Sequence, residues 1–193
     1  KMIARPKNEV WAQLILSERD SVRIREFFIN ECEIKAHRVV SNFHMTIYYA
    51  RRLMPDVVAK VEAAQVVLPA TETRFMVMAP GGENPRPELV PSKCKVGIRV
   101  HKQSSAMPAI LNYRQRLLRC ETRAVLGSRR PSTIRTNAFG ARHFQPHVAL
   151  LKPGSGIDRD LTKLGSLFRE RIGNLTFDKF EIEVVIRQEE GIV

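Results

Sequence analysis

Two short stretches decide the fold of this chain: FHMTIY at residues 43–48 and PHVAL at residues 146–150. Each places one histidine, His44 or His147, in an apolar pattern typical of a β-strand. Because alternate side chains of a strand share a face, His44, Thr46 and Tyr48 are expected on one face, and His147 with Ala149 on one face of its own strand. If the two strands lie side by side, two imidazoles meet in one cleft. Imidazole titrates near neutral pH, so such a pair can act as general base and general acid.

The rest of the chain predicts the same order of elements around each histidine strand. In the first half we predict strands over 10–16, 43–48 and 73–79 and helices over about 20–32 and 55–64. In the second half we predict strands over 95–101, 144–151 and 175–187 and helices within 104–126 and over 158–172. Residues 81–92, with three prolines and two glycines, are the predicted linker.

This repetition predicts a degenerate internal duplication. The expected fold class is α+β, with two pseudo-symmetric β-α-β-α-β lobes and antiparallel sheets around a central cleft. We expect one domain over 1–193, with lobe one at about 8–80 and lobe two at about 93–190.

The charge of the chain favours an anionic partner. The formal net charge is +12 and the sequence pI is about 10.2, which favours nucleic acid or a nucleotide before a membrane. From Arg123 to Lys152 there are six basic residues and no acidic one. This stretch is either a solvated basic loop or a rim that attracts phosphate. Its candidate substrate-binding residues are Arg130, Arg135, Arg142 and Lys152.

Other classes of protein find little support in the sequence. No apolar run has the length of a membrane helix and no signal-peptide pattern opens the chain, so we expect a cytoplasmic protein without membrane contact. Cys32, Cys94 and Cys120 are odd in number and have no histidine nearby, which argues against a disulfide framework or a zinc site. We expect no metal, no cofactor and a monomer.

The two stretches resemble the motifs of the 2H phosphoesterase superfamily, also called LigT-like, whose hallmark is a pair of H-x-[T/S] motifs. Residues 44–47 match the first motif fully. Residues 146–150 are similar to the frequent family form P-H-V-T-L, with Ala149 at the hydroxyl position. The resemblance implies a bilobal α+β fold and hydrolysis of a 2′,3′-cyclic phosphate, or of a 2′-5′ or 3′-5′ linkage, in RNA or a small nucleotide, without a metal.

The resemblance also implies roles for individual residues. His44 and His147 would be the general base and general acid, in either assignment, and Thr46 would donate its hydroxyl to a non-bridging phosphate oxygen. Ala149 cannot donate, so Lys152, Arg142 or a backbone N–H replaces it, or the enzyme is slow, or the site binds without cleaving. Tyr48 would stack on a base or pack in the cleft wall. Trp11 is more often a core residue than a base platform.

Two alternatives come from other functional classes. A catalytically silent nucleotide- or RNA-binding module would keep the cleft and show no turnover at any pH. A basic structural RNA-binding protein without a cleft would bind long RNA with a steep salt dependence and have no saturable mononucleotide site.

Overall fold

The computed structural model describes residues 7–51, 65–78, 88–126 and 144–187, and the predicted helix over 55–64 lies outside these ranges. Within them, seven strands form one antiparallel sheet in the order β3-β7-β1-β2-β6-β5-β4. The strands are β1 (Lys7–Leu16), β2 (His44–Arg51), β3 (Val66–Pro69), β4 (Thr73–Met78), β5 (Lys95–Val100), β6 (His147–Leu151) and β7 (Asn174–Arg187). The two histidine strands, β2 and β6, are neighbours at the centre of the sheet.

In the described part of the chain three α-helices accompany the sheet, and a side-chain cap marks the start of two of them. They are α1 (Glu18–Glu26), α2 (Met107–Leu126) and α3 (Leu161–Ile172). The side chain of Asp160 accepts the N–H of Thr162 at 2.7 Å and so caps the first turn of α3. Helix α1 continues from Phe27 to Glu31 as a π-helical turn, so the predicted helix over 20–32 is correct in extent and changes its hydrogen-bond pattern near its end.

The hydrophobic core lies on one face of the sheet, under the helices. Side chains from the two central strands, Met45 and Val148, are almost completely buried there. Aromatic rings from the π-helical turn, β4 and α3 pack edge to face against one another in this core, with Phe75 and Phe168 centroids 5.2 Å apart. The opposite face, which carries His44, Thr46, His147 and Ala149, is here called the histidine face.

The α+β class and the antiparallel sheet predicted from the sequence are confirmed. Strand β3 was not predicted. The structure also shows an exchange of strands between the halves of the chain: β4 pairs with β5, and β7 pairs with β1. The sheet is therefore continuous across residues from both halves. Of the predicted linker, the described part packs against the turn after β6, where Gly154 and Gly156 donate to the carbonyls of Lys93 and Ser92.

Among the described helices, none combines the length and the apolar composition that crossing a bilayer requires.

Candidate active site

The two predicted catalytic histidines lie on adjacent strands and on the same face of the sheet. Strands β2 and β6 pair antiparallel with Met45 opposite Val148. Because the strands are antiparallel, moving one residue back on β2 corresponds to moving one residue forward on β6. His44 therefore lies beside Ala149, and Thr46 lies beside His147. The two histidines are therefore diagonal neighbours, with Cβ atoms expected about 7–8 Å apart. Their side chains can converge on one small group above the sheet.

Each histidine is held by the same local hydrogen bond. Nδ1 of His44 lies 3.1 Å from the carbonyl oxygen of Asn42, and Nδ1 of His147 lies 2.9 Å from that of Gln145. A carbonyl oxygen only accepts, so in both rings Nδ1 carries the hydrogen. In each neutral ring the lone pair is then on Nε2, which is the atom left to exchange a proton with a ligand. Both side chains are half-buried.

Thr46 and Ala149 occupy matching places beside the two histidines. Thr46 is next to His147 across the strand pair, and Ala149 is next to His44. On its other side Ala149 pairs with Gly97 of β5. A Cβ at Gly97 would collide with the backbone oxygen of Val148. On the β6 and β5 side of His44, the sheet surface therefore consists of Ala149 and Gly97, two small residues without a side-chain hydrogen-bond donor.

The prediction that Tyr48 shares the histidine face is wrong. The pairing of β1 with β2 shifts register between Ala12 and Gln13, so that Gln13 pairs with Thr46 and Ala12 with Tyr48. A β-bulge of this kind breaks the alternation of faces. Tyr48 is turned into the core and is 0% exposed, so it cannot stack on a bound base.

The same bulge places Tyr49 on the histidine face, opposite Trp11. The two rings are in contact, with centroids 4.1 Å apart and planes tilted by 40°. Both side chains are partly exposed, and the interpretation of Trp11 as a core residue is therefore wrong. On β1, Trp11 is two residues from Gln13. On β2, Tyr49 is three residues from Thr46 because the bulge adds one residue.

Two arginines on the histidine face were missed by sequence reasoning. Arg99 of β5 pairs directly with His147, and Arg74 of β4 pairs with Arg99. With the Gln145 amide oriented by its hydrogen bonds, its oxygen accepts from Arg99 Nε at 3.2 Å and Nη1 at 2.9 Å. The sequence does show an arginine inside each of these two predicted strands. Only the strand order shows that Arg99 lies next to His147 and that Arg74 lies one strand further away.

One cavity is lined by His44, and a second is lined by residues that neighbour His147. One of about 530 Å³ is lined by His44 and Asn42 together with Gln13, Glu181 and Glu183. Another of about 510 Å³ is lined by Arg99, Arg74 and Gln145, the residue whose carbonyl holds His147. The histidine face therefore has an acidic side next to His44 and a basic side next to His147.

Of the other predicted substrate contacts, Lys152 is described by the structure and is not brought to this site. Lys152 follows the end of β6, exposed, with its backbone N–H donating to the carbonyl of Arg38 at 2.8 Å. It lies five residues, or roughly 16 Å of strand, from His147. Arg130, Arg135 and Arg142 lie outside the described residues.

The site is thus a paired-histidine site at the centre of a continuous antiparallel sheet. No protein-family model matches the sequence, and no curated protein sequence matches it significantly. Among solved structures, the chain is similar to the crystal structure of E. coli LigT in apo form, with a TM-score of 0.47 and 13% sequence identity. That likeness covers 96% of this chain and 96% of that chain. A similarity of this size does not by itself define the family of the chain.

Proposed function

We propose that this chain is a metal-independent phosphoesterase that hydrolyses a 2′,3′-cyclic phosphate, or a 2′-5′ or 3′-5′ phosphodiester, of RNA or a small nucleotide. The observation that carries the proposal is the pair His44 and His147. They are diagonal neighbours on one sheet face, and each is anchored through Nδ1 so that Nε2 is left for proton transfer.

The reaction needs one neutral and one protonated imidazole. Nε2 of the neutral ring removes a proton from water or a ribose hydroxyl, and the oxygen forms a bond to phosphorus. The bond from phosphorus to the leaving oxygen breaks, and the imidazolium on the other side gives its Nε2 proton to that oxygen. Charge is conserved, and the pair ends with its protonation states exchanged. The motifs leave open which histidine begins as the base.

The negative charge on the phosphate needs donors during displacement. Thr46 supplies a hydroxyl beside His147, whereas Ala149 supplies nothing beside His44. We propose that Arg99 takes the place of the missing donor, because its guanidinium has five N–H groups and Gln145 takes only two of them. Arg99 is paired with His147 and is a diagonal neighbour of Ala149. In this proposal Trp11 and Tyr49 provide the surface on which a base stacks.

The test compares three histidine variants on a 2′,3′-cyclic nucleotide. His44→Ala and His147→Ala should each abolish hydrolysis, whereas His37→Ala should not, because His37 is exposed on the short helical turn Ala36–Arg38. The parent should show a bell-shaped dependence of kcat/KM on pH. Full activity in either of the first two variants would refute the paired-histidine mechanism.

A second candidate function is a nucleotide- or RNA-binding module without turnover, and Ala149 is the observation that favours it. Such a module would bind nucleotides with the same histidine face, and His44→Ala would then alter affinity only. Absence of hydrolysis by the folded parent over cyclic and linear phosphodiesters, with binding intact, would favour this second function.

A further inference from the structure

The basic cavity beside His147 points to a second phosphate on the substrate. We infer that Arg74 and Lys102 bind a phosphate group one sugar away from the reacting phosphate, so the preferred substrate is an oligonucleotide or a 5′-phosphorylated nucleotide. This inference rests on the proposed function for the identity of the first phosphate.

The cavity is lined by residues that neighbour His147 across the sheet. Arg74, Arg99 and His147 are paired in one row across β4, β5 and β6. Adjacent strands lie about 4.8 Å apart, so the backbone of Arg99 is about 5 Å from that of His147 and the backbone of Arg74 about 10 Å. A ligand held between the histidines therefore reaches Arg99 first and Arg74 next. This order suits two successive phosphates of one chain.

The charges in the cavity are available to a ligand. Lys102 lies just after β5 and lines the same cavity as Arg74, and both side chains are exposed. In the described part of the chain, neither residue makes an ion pair. The positive charges of Arg74 and Lys102 are therefore not already paired with a carboxylate of the described chain. The cavity of about 510 Å³ has room for a phosphate with its sugar.

The one carboxylate that lines this cavity is engaged elsewhere. Glu72 accepts hydrogen bonds from the Ser104 hydroxyl at 2.5 Å and from the N–H and hydroxyl of Ser105 at 2.9 and 3.0 Å. The Ser104 hydrogen bond is the main cause of the lowered pKa of Glu72, so the group is ionised at neutral pH. It ties the turn before α2 to the short turn before β4, and Arg74, Arg99 and Lys102 line the same cavity. The cavity therefore keeps an excess of positive charge.

The experiment measures binding and turnover of two probes, adenosine 2′,3′-cyclic phosphate with and without a 5′-phosphate. Binding is measured with the His44→Ala protein, so that affinity does not depend on catalysis. We expect the 5′-phosphorylated probe to bind about 10- to 100-fold more tightly, since hydrogen bonds between charged partners are stronger than those between neutral ones. Arg74→Gln with Lys102→Gln should remove most of this difference and leave hydrolysis of the unphosphorylated probe unchanged.

A matched control separates contact from general electrostatics. Arg19→Gln with Arg171→Gln changes the net charge equally, at exposed positions of α1 and α3 away from the cavity, and should keep the difference between probes. Equal affinity of the His44→Ala protein for both probes, or equal weakening of both when Arg74→Gln and Lys102→Gln are added to it, would overturn the second-phosphate site. If the probe difference is present but the parent hydrolyses neither probe, the second-phosphate site stands and the catalytic function is refuted. Failure to bind either probe would overturn both.

Discussion

Replacing Arg99 tests the proposal that a guanidinium has taken over the role of the missing hydroxyl at Ala149. In Arg99→Gln the side chain keeps hydrogen-bonding capacity toward Gln145 but loses its charge and its forked donors. Removing one donor to a developing oxyanion typically lowers kcat by about 10²–10³-fold, so we expect a loss near 10²-fold, or about 2.7 kcal/mol of transition-state stabilisation.

The same reasoning predicts how Ala149→Thr behaves in two backgrounds. In the parent, where Arg99 already donates, the new hydroxyl should change kcat by less than about tenfold. In the Arg99→Gln protein it should restore kcat by about tenfold or more, because it then supplies the only donor next to His44 on β6. The difference between the two effects is the coupling energy of a double-mutant cycle, which is expected for two groups that serve one atom. Ala149→Val is the matched control, since it has the shape of threonine without the hydroxyl.

The assay is steady-state hydrolysis of a 2′,3′-cyclic nucleotide, with unfolding midpoints measured for each variant. Gln145→Ala controls for an indirect effect, because it removes the contact to Arg99 and keeps the backbone carbonyl that holds His147. An unchanged kcat in Arg99→Gln would refute the proposed donor. A loss in Gln145→Ala as large as that in Arg99→Gln would assign the effect to the position of His147 instead.

Three further predictions concern the framework of the site. Asp160 has a lowered pKa, chiefly because it accepts the backbone N–H of Thr162, so its stabilisation of α3 is complete above its ordinary pKa of 3.8 and is lost as pH falls through the lower folded value. Asp160→Ala should therefore lower the urea midpoint at pH 7, and this effect should shrink as the pH falls below 3.8; a loss that stays the same as the pH falls would contradict this. Gly97→Ala should destabilise the protein by about 1–3 kcal/mol in chemical denaturation, because its Cβ meets the Val148 backbone, and an unchanged midpoint would show that the strands separate easily. Tyr48→Ala should cost about 3–5 kcal/mol of folding free energy. Tyr49→Ala should mainly weaken nucleotide binding measured by titration. If Tyr49→Ala instead destabilised the protein more than Tyr48→Ala, the position of the bulge would be contradicted.

The regular elements near the histidines were largely predictable because they depend on local patterns. Strand-like apolar patterns located β1, β4, β5 and β7, and an amphipathic segment over 158–172 located α3. Strand β3 is only four residues long and offered too short a pattern. The face of Tyr48 was predicted wrongly because a bulge depends on the partner strand and leaves no mark in the strand that it interrupts.

Within the candidate site, the sequence predicted the residues that are proposed to carry the chemistry. A histidine in an apolar strand is visible in the sequence, and so are the threonine and alanine two positions later. Arg99 and Arg74 could be found as charged strand residues, but their proximity to His147 depends on strand order. Trp11 looked like a core residue because its exposure depends on which face of β1 the helices cover.

By itself, the sequence determined which segments are strands and helices and which side chains can move protons, because both depend on residue type and short-range spacing. The tertiary structure decided which strands are neighbours. It placed β2 against β6, exchanged the last strands of the two halves, and aligned Arg74 and Arg99 beside His147. The physical reason is that backbone hydrogen bonds between strands are the same for every residue type, so pairing is selected by burial of whole faces in a common core rather than by any local sequence signal.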